Sequence, residues 1–108
     1  MSGYSYIVTE IIHKKTTLLK LIADPSRYRI IELLTNSNGK LCVGDLADQS
    51  QNSPSAVSHQ LAKLEDAHIV RPIRKGQQTC YILQDNEETE IVLKIMKTLS
   101  TKNLYTNS

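Results

Sequence analysis

Phenylalanine and tryptophan are absent from this chain, and its only aromatic residues are five tyrosines. Its core must therefore rest on Leu, Ile, Val and Ala, with some Tyr. Cysteine is scarce: Cys42 and Cys80 are the only two in 108 residues, which is no disulfide framework. No secretory leader pattern opens the sequence. A reducing, cytoplasmic setting with both cysteines as free thiols is the expectation. No apolar run approaches the roughly 20 residues needed to cross a bilayer, which argues against a membrane partner. A Gly-rich phosphate loop, a nucleophile beside a positioned base and a convincing metal cluster are all lacking. With them go the ordinary signs of an enzyme and of a bound cofactor. Repeats, linkers and low-complexity segments are also missing, so one domain over residues 1–108 is expected.

What is present is an ordinary globular composition, 40% hydrophobic and 22% charged, with a net charge of +2. That sum is a weak sign of a nucleic-acid partner, but its distribution says more. Residues 70–83 hold Arg71, Arg74 and Lys75 and no acidic residue, whereas residues 85–90 hold Asp85, Glu87, Glu88 and Glu90 and no basic one. Such blocks imply a polarised surface.

Residues 1–6 show no clear pattern. Apolar residues then recur at Ile7, Ile11, Leu18, Leu21 and Ile22, with Val8, Ile12 and Leu19 beside them. This spacing predicts one helix over about 7–22 with a wide apolar stripe, and a solvated face at His13, Lys14 and Lys15. Asp24-Pro25 pairs an N-cap residue with a proline at the first helical position. The second helix runs to about Thr35 and buries Ile30, Ile31, Leu33 and Leu34. Asn36-Ser37-Asn38-Gly39 is a turn cluster. A short helix over 42–50 carries Val43, Leu46 and Ala47. Ser53 caps the next helix, Pro54 opens it, and it extends to about Ala67 with Val57, Leu61 and Leu64 inward. Residues 69–73 and 77–83 read as a hairpin around Lys75-Gly76, and alternation against Tyr81 leaves Cys80 partly exposed. Asp85-Asn86 caps a last helix over 86–100 carrying Ile91, Val92, Ile95, Met96 and Leu99. The tail 101–108 reads as polar and frayed.

The fold class is thus mainly α with a small β-hairpin wing, ordered α-α-α-α-β-β-α. Two short helices over 42–67 joined by a tight turn, followed by a basic hairpin over 69–83, form a winged helix-turn-helix. The major groove of double-stranded DNA admits one helix, braced by the helix before it. Val57, Leu61 and Leu64 would dock that helix, leaving Ser55, Ser58, His59, Gln60 and Lys63 toward the groove, with Ser53 at its start. Gln60 could read adenine bidentately, and His59 a base edge or a phosphate. Arg74, Lys75 and Gln77 on the hairpin would meet the backbone or minor groove.

At this point the chain resembles the arsenical-repressor-like (ArsR/SmtB-type) winged-helix regulators. The carrying stretches are Leu21-Ile22-Ala23-Asp24-Pro25-Ser26-Arg27-Tyr28-Arg29-Ile30-Ile31-Glu32-Leu33-Leu34 and Leu41-Cys42-Val43-Gly44-Asp45-Leu46-Ala47. Ser55-Ala56-Val57-Ser58-His59-Gln60-Leu61-Ala62-Lys63-Leu64 follows, then Val70-Arg71 through Tyr81-Ile82-Leu83. The resemblance implies a homodimeric, cytoplasmic repressor of operator DNA, joined through its first and last helices. It also implies release by an inducer such as a metal or a thiol oxidant, with the inducer here left open. The surplus apolar positions Ile11, Leu18, Ile91, Ile95 and Leu99 suit an isologous seam.

Three departures matter. Soft-metal sensors of this kind carry C-x-C where this chain reads Cys42-Val43-Gly44, so the second thiol is missing and one thiolate cannot hold such a metal. The last helix has no His to serve a zinc-type site. Metal sensing of the family's usual kinds is therefore not expected. His68 stands where the resemblance implies glycine, so it must tolerate an unusual backbone or shift the turn.

Cys42, near a helix N-terminus that lowers a thiol pKa, is the candidate sensor, against a plain packing role. A Cys42–Cys80 bridge within one chain is not expected, because one residue precedes the recognition helix and the other lies in the wing. Bridging needs Cα atoms within about 7 Å. The alternative function is a winged-helix module that binds protein without specific DNA binding.

Overall fold

The computed structural model describes residues 2–100. Its order is α1 (Ser2–Ile22), α2 (Pro25–Asn36), β1 (Lys40–Cys42), α3 (Val43–Ser50), α4 (Pro54–Asp66), β2 (Val70–Lys75), β3 (Gln78–Leu83) and α5 (Glu87–Leu99). The expected helices and hairpin are all present, and β1 is an addition. The expectation for the tail 101–108 lies outside the described residues.

Most boundaries follow from local chemistry. Asp24 caps α2 by accepting from the Arg27 N–H at 3.0 Å, and Ser53 caps α4 by accepting from the Ala56 N–H at 3.1 Å. Each cap is followed by proline at the start of its helix, where the missing N–H costs nothing. Asn86 caps α5 through Oδ1, accepting from the Thr89 N–H at 2.8 Å. Its Nδ2 donates to the His68 carbonyl at 2.7 Å. One side chain thus ties the entrance of the wing to the start of α5.

The largest boundary difference is at the N-terminus; the first hairpin strand also runs on to Lys75 rather than ending at Ile73, and the short helix starts at Val43 rather than Cys42. The first helix begins at Ser2 rather than near Ile7. Residues 2–6 contain no proline, and extending an existing helix gains one hydrogen bond per residue, whereas nucleation is the costly step. An apolar stripe reports only the part of a helix that carries apolar residues, so a polar extension escapes it.

The sheet is antiparallel with strand order β1-β3-β2. β2 and β3 form the wing hairpin, paired from Val70↔Leu83 to Lys75↔Gln78, and Gly76 turns it at φ +63°. Glycine at the first position of a two-residue loop suits the twist of a hairpin. β1 adds on the other side of β3, with Lys40 opposite Ile82, Leu41 opposite Tyr81 and Cys42 opposite Cys80.

That register overturns the expectation of two free thiols. Cys42 and Cys80 are joined by a disulfide, their Cα atoms 3.6 Å apart. One residue in the helix pair and one in the wing would lie apart if β1 were absent. β1 carries Cys42 to the flank of the wing. Cys80 is also fully buried rather than partly exposed, because β1 leaves β3 in the centre of the sheet.

The core joins Ile30, Ile31 and Leu34 of α2, Leu46 of α3, Val57, Leu61 and Leu64 of α4, and Val92 of α5, all fully buried. Leu and Ile do the work that Phe and Trp cannot do here. The exterior is less uniform. Ile7, Ile11, Ile12 and Leu19 on α1, with Ile91 and Leu99 on α5, remain exposed.

Candidate nucleic-acid interface

α3, the turn at 51–53 and α4 make the helix pair. The left-handed conformation of Gln51, φ +61°, closes α3. Buried Val57, Leu61 and Leu64 hold α4 down along one stripe, so its opposite face is free.

That face carries the predicted residues. Ser55, Ser58, His59 and Lys63 are all exposed. Ser55, Ser58 and His59 stand at i, i+3 and i+4, and so share one side of the helix. Ser53 is exposed too, but its hydroxyl is engaged as the cap, and lies 3.5 Å from that of Ser55. Its first role is to set where α4 begins. The wing residues Arg74, Lys75 and Gln77 are exposed around the hairpin turn.

Gln60 behaves differently. It is half-buried, and its Oε1 accepts from Arg27 Nη1 at 2.9 Å. A bidentate adenine contact needs that oxygen free, so this structure gives Gln60 another task. Arg27 also donates through Nε to the Leu21 carbonyl at 2.7 Å and through Nη2 to the Lys20 carbonyl at 3.4 Å. One guanidinium thus binds carbonyls in the last turn of α1 while holding the middle of α4. Its planar fork suits such a three-way tie. The sequence reading missed Arg27 because its partner on α4 is 33 residues away.

Lys40 was missed for a similar reason. Lys75 holds the Lys40 ammonium below the ordinary lysine range, first through side-chain hydrogen bonding, then by charge repulsion, with slight desolvation. Two cations drawn together at the wing are relieved when an anion sits between them. Only β1, invisible to periodicity, brings Lys40 there.

His68 leaves α4 at φ +65°, so it tolerates the unusual backbone where the resemblance implies glycine. Its N–H donates to the Glu65 carbonyl at 2.9 Å, and the Ile69 N–H to the Leu64 carbonyl at 2.9 Å. These bonds close α4 tightly. Burial, and then the Glu65 charge, push the Tyr81 hydroxyl above the usual tyrosine range, so Tyr81 stays a neutral donor.

Among the described residues no group of three or more His, Cys, Asp and Glu is placed to hold a metal ion. Glu87, Glu88 and Glu90 lie in the first turn of α5, at its positive end. α1 and α5 flank a groove of about 630 Å³ lined by Ile11, Leu18, Leu19, Ala67, Ile91 and Ile95, with His13, Lys14, Lys15, Glu87 and Glu88 also on its walls.

A helix pair with a polar outer face, followed by a basic hairpin, defines a winged helix-turn-helix. The chain matches the family described as bacterial regulatory protein, arsR family, over residues 24–71. It is 35% identical over 74 residues to the transcriptional repressor SdpR of Bacillus subtilis, covering 64% of this chain and 80% of that one. It is 45% identical over 65 residues to a transcriptional repressor SmtB homolog of Synechocystis sp., covering 60% of this chain and 48% of that one. The chain thus spans about half the length of that relative. The crystal structure of the AntR antimony-specific transcriptional repressor superposes with a TM-score of 0.71 at 34% identity, over 81% of this chain and 74% of that one. The chain belongs to the ArsR family of bacterial regulatory proteins.

Proposed function

We propose that this chain is a non-catalytic, DNA-binding transcriptional repressor that acts as a homodimer on double-stranded operator DNA. The observation that carries this reading is the outer face of α4. Ser55, Ser58 and His59 are exposed together on a helix whose start is capped by Ser53 and whose middle is tied by Arg27. A side chain that reads base edges must be held before it binds, and this helix is held from both sides. His59 and Ser58 are the base readers, Ser55 and Lys63 flank them, and Lys75, Arg74, Gln77 and Lys40 meet phosphates. Gln60 serves as a positioning residue. Binding of operator DNA would fit a cytoplasmic location.

The α1–α5 groove and the apolar residues around it support the dimer part of this reading. A second copy seated there would cover Ile11, Leu18, Ile91, Ile95 and Leu99 through an isologous contact. Two recognition helices would then enter successive major grooves, roughly 34 Å apart.

The test is selection of bound duplexes from a random pool at fixed salt. The expected product is an imperfect palindrome with half-sites one helical turn apart. A pool that stays random contradicts sequence reading. Binding absent even at low salt would point instead to a protein partner.

A further inference from the structure

Cys42 and Cys80 belong to different functional parts. Cys42 ends β1 and is the N-cap of α3, the bracing helix of the pair. Cys80 lies in β3, the strand shared by β1 and the wing hairpin. Their bond ties the helix pair to the wing across a sequence separation of 38 residues.

The two sulfurs are not equivalent. Cys80 is fully buried. Cys42 is half-buried and lines a pocket of about 240 Å³ with Val43, Gly44, Asp45, Gln78 and Thr79, and Cys80 is not on its wall. A Cβ on Gly44 would meet nothing within 4 Å, so the mouth beside Cys42 is open. The Cys42 side chain makes no capping hydrogen bond to α3. The first-turn N–H groups there favour a thiolate at Cys42 once the bond is opened, with the Asp45 carboxylate on the same pocket acting against them.

We propose that Cys42 and Cys80 form a reversible dithiol–disulfide site, with Cys42 the entry sulfur and Cys80 the buried resolving sulfur, and that the bond sets how firmly the wing is held to the helix pair. The oxidant class is a hydroperoxide. The Cys42 thiolate attacks its distal oxygen, the O–O bond breaks, and the alkoxide leaves and takes up a proton. The Cys80 thiol then attacks the Cys42 sulfenic acid. The S–S bond forms, and the hydroxyl leaves with the Cys80 proton as water. Two thiols and one hydroperoxide give one disulfide, one alcohol and one water. Reduction runs by exchange. A small thiol attacks Cys42, Cys80 leaves and is protonated, and a second small thiol frees Cys42 and carries off the external disulfide.

The bond needs no rearrangement of the sheet, because Cys42 and Cys80 are already register partners. Opening it removes a cross-link rather than a strand. Cys42 closes β1, which pairs with β3 on the side opposite β2, so loosening β1 loosens the strand that anchors the wing hairpin. The oxidised form therefore binds DNA more tightly, because less ordering remains to be done on binding.

The chemical test is independent of DNA. Cys80→Ser and Cys42→Ser proteins are treated with an aromatic disulfide reagent, and adduct formation is followed by absorbance and intact mass. Cys42 in the first variant should react at least about tenfold faster than Cys80 in the second. Equal rates, or a faster Cys80, overturn the assignment of entry and resolving sulfurs. In wild type, hydrogen peroxide should convert the dithiol to the bridged form, and dithiothreitol should restore it. Failure of either conversion overturns reversibility.

The regulatory part rests on the DNA-binding reading and is tested on the duplex selected above. Oxidised protein should bind at least threefold more tightly than reduced protein, and Cys42→Ser should bind as the reduced form does under both conditions. Equal affinity in the two states, or tighter binding when reduced, overturns the regulatory part. Loss of all duplex binding in both states would instead fail the DNA reading and leave the thiol result standing.

Discussion

The helix pair with its wing and the α1–α5 face are built from similar residues and finished in opposite ways. On α4 every large apolar side chain is buried, and what faces outward is Ser55, Ser58, His59 and Lys63. On α1 and α5, Ile7, Ile11, Ile91 and Leu99 face outward although Ile22, Val92 and Met96 on the same helices are buried. The first surface is complete for a monomer in water and is shaped for a polar ligand. The second is complete only when another apolar surface covers it. The proposed DNA contact and the proposed contact with a second copy thus fall on surfaces of opposite character.

Four tests sharpen that contrast, from the largest expected effect to the smallest. Leu61→Ala removes a fully buried side chain and should cost about 2–5 kcal/mol, read as a lowered midpoint in urea. Ile11→Ala, at 46% exposure, should leave the isolated subunit nearly unchanged. Equal losses for the two would erase the distinction between the regions.

Ile91→Asp places a charge on the α1–α5 face. If a second copy covers that face, burying an unpaired charge should weaken dimerisation about a hundredfold while circular dichroism stays native. Sedimentation at a series of concentrations reads it, and an unchanged dimer would move the interface elsewhere.

Arg27→Ala acts where the two regions meet, since Arg27 bonds both α1 and Gln60. It should cost about 1–3 kcal/mol of stability through lost hydrogen bonds to a charged donor. Gln60→Ala should cost less, and the double variant less than the sum of the two. Additive losses would mean that the pair does not couple the helices. His68→Gly should raise stability by about 0.5–1 kcal/mol, because glycine accepts φ +65° without a Cβ penalty. A thermal melt reads this smallest effect, and a lowered midpoint would show that the imidazole contributes something glycine cannot.

Much of this was legible in the sequence because it is local. Ser53-Pro54 and Asp24-Pro25 announce helix starts by their own chemistry, and Val57, Leu61 and Leu64 announce a buried stripe by spacing. The outer face of α4 follows by subtraction. What was not legible depends on distant partners. β1 has 3 residues, too few for alternation to show, and exists because β3 offers it an edge. The Cys42–Cys80 bridge and the influence of Lys75 on Lys40 both depend on that strand. Gln60 looked like a base reader because its type and position allow it. Only the fold shows that Arg27 already holds its oxygen.

The most direct measurement is fluorescence anisotropy with His59→Ala and Lys75→Ala, each on the selected duplex and on a scrambled one, across a salt series. His59→Ala should lose about 1–3 kcal/mol on the selected duplex and little on the scrambled one. Lys75→Ala should weaken both evenly and lower the salt slope by about one. Affinities for both variants equal to wild type on both duplexes would contradict the assignment of α4 and the wing as the DNA-reading surface.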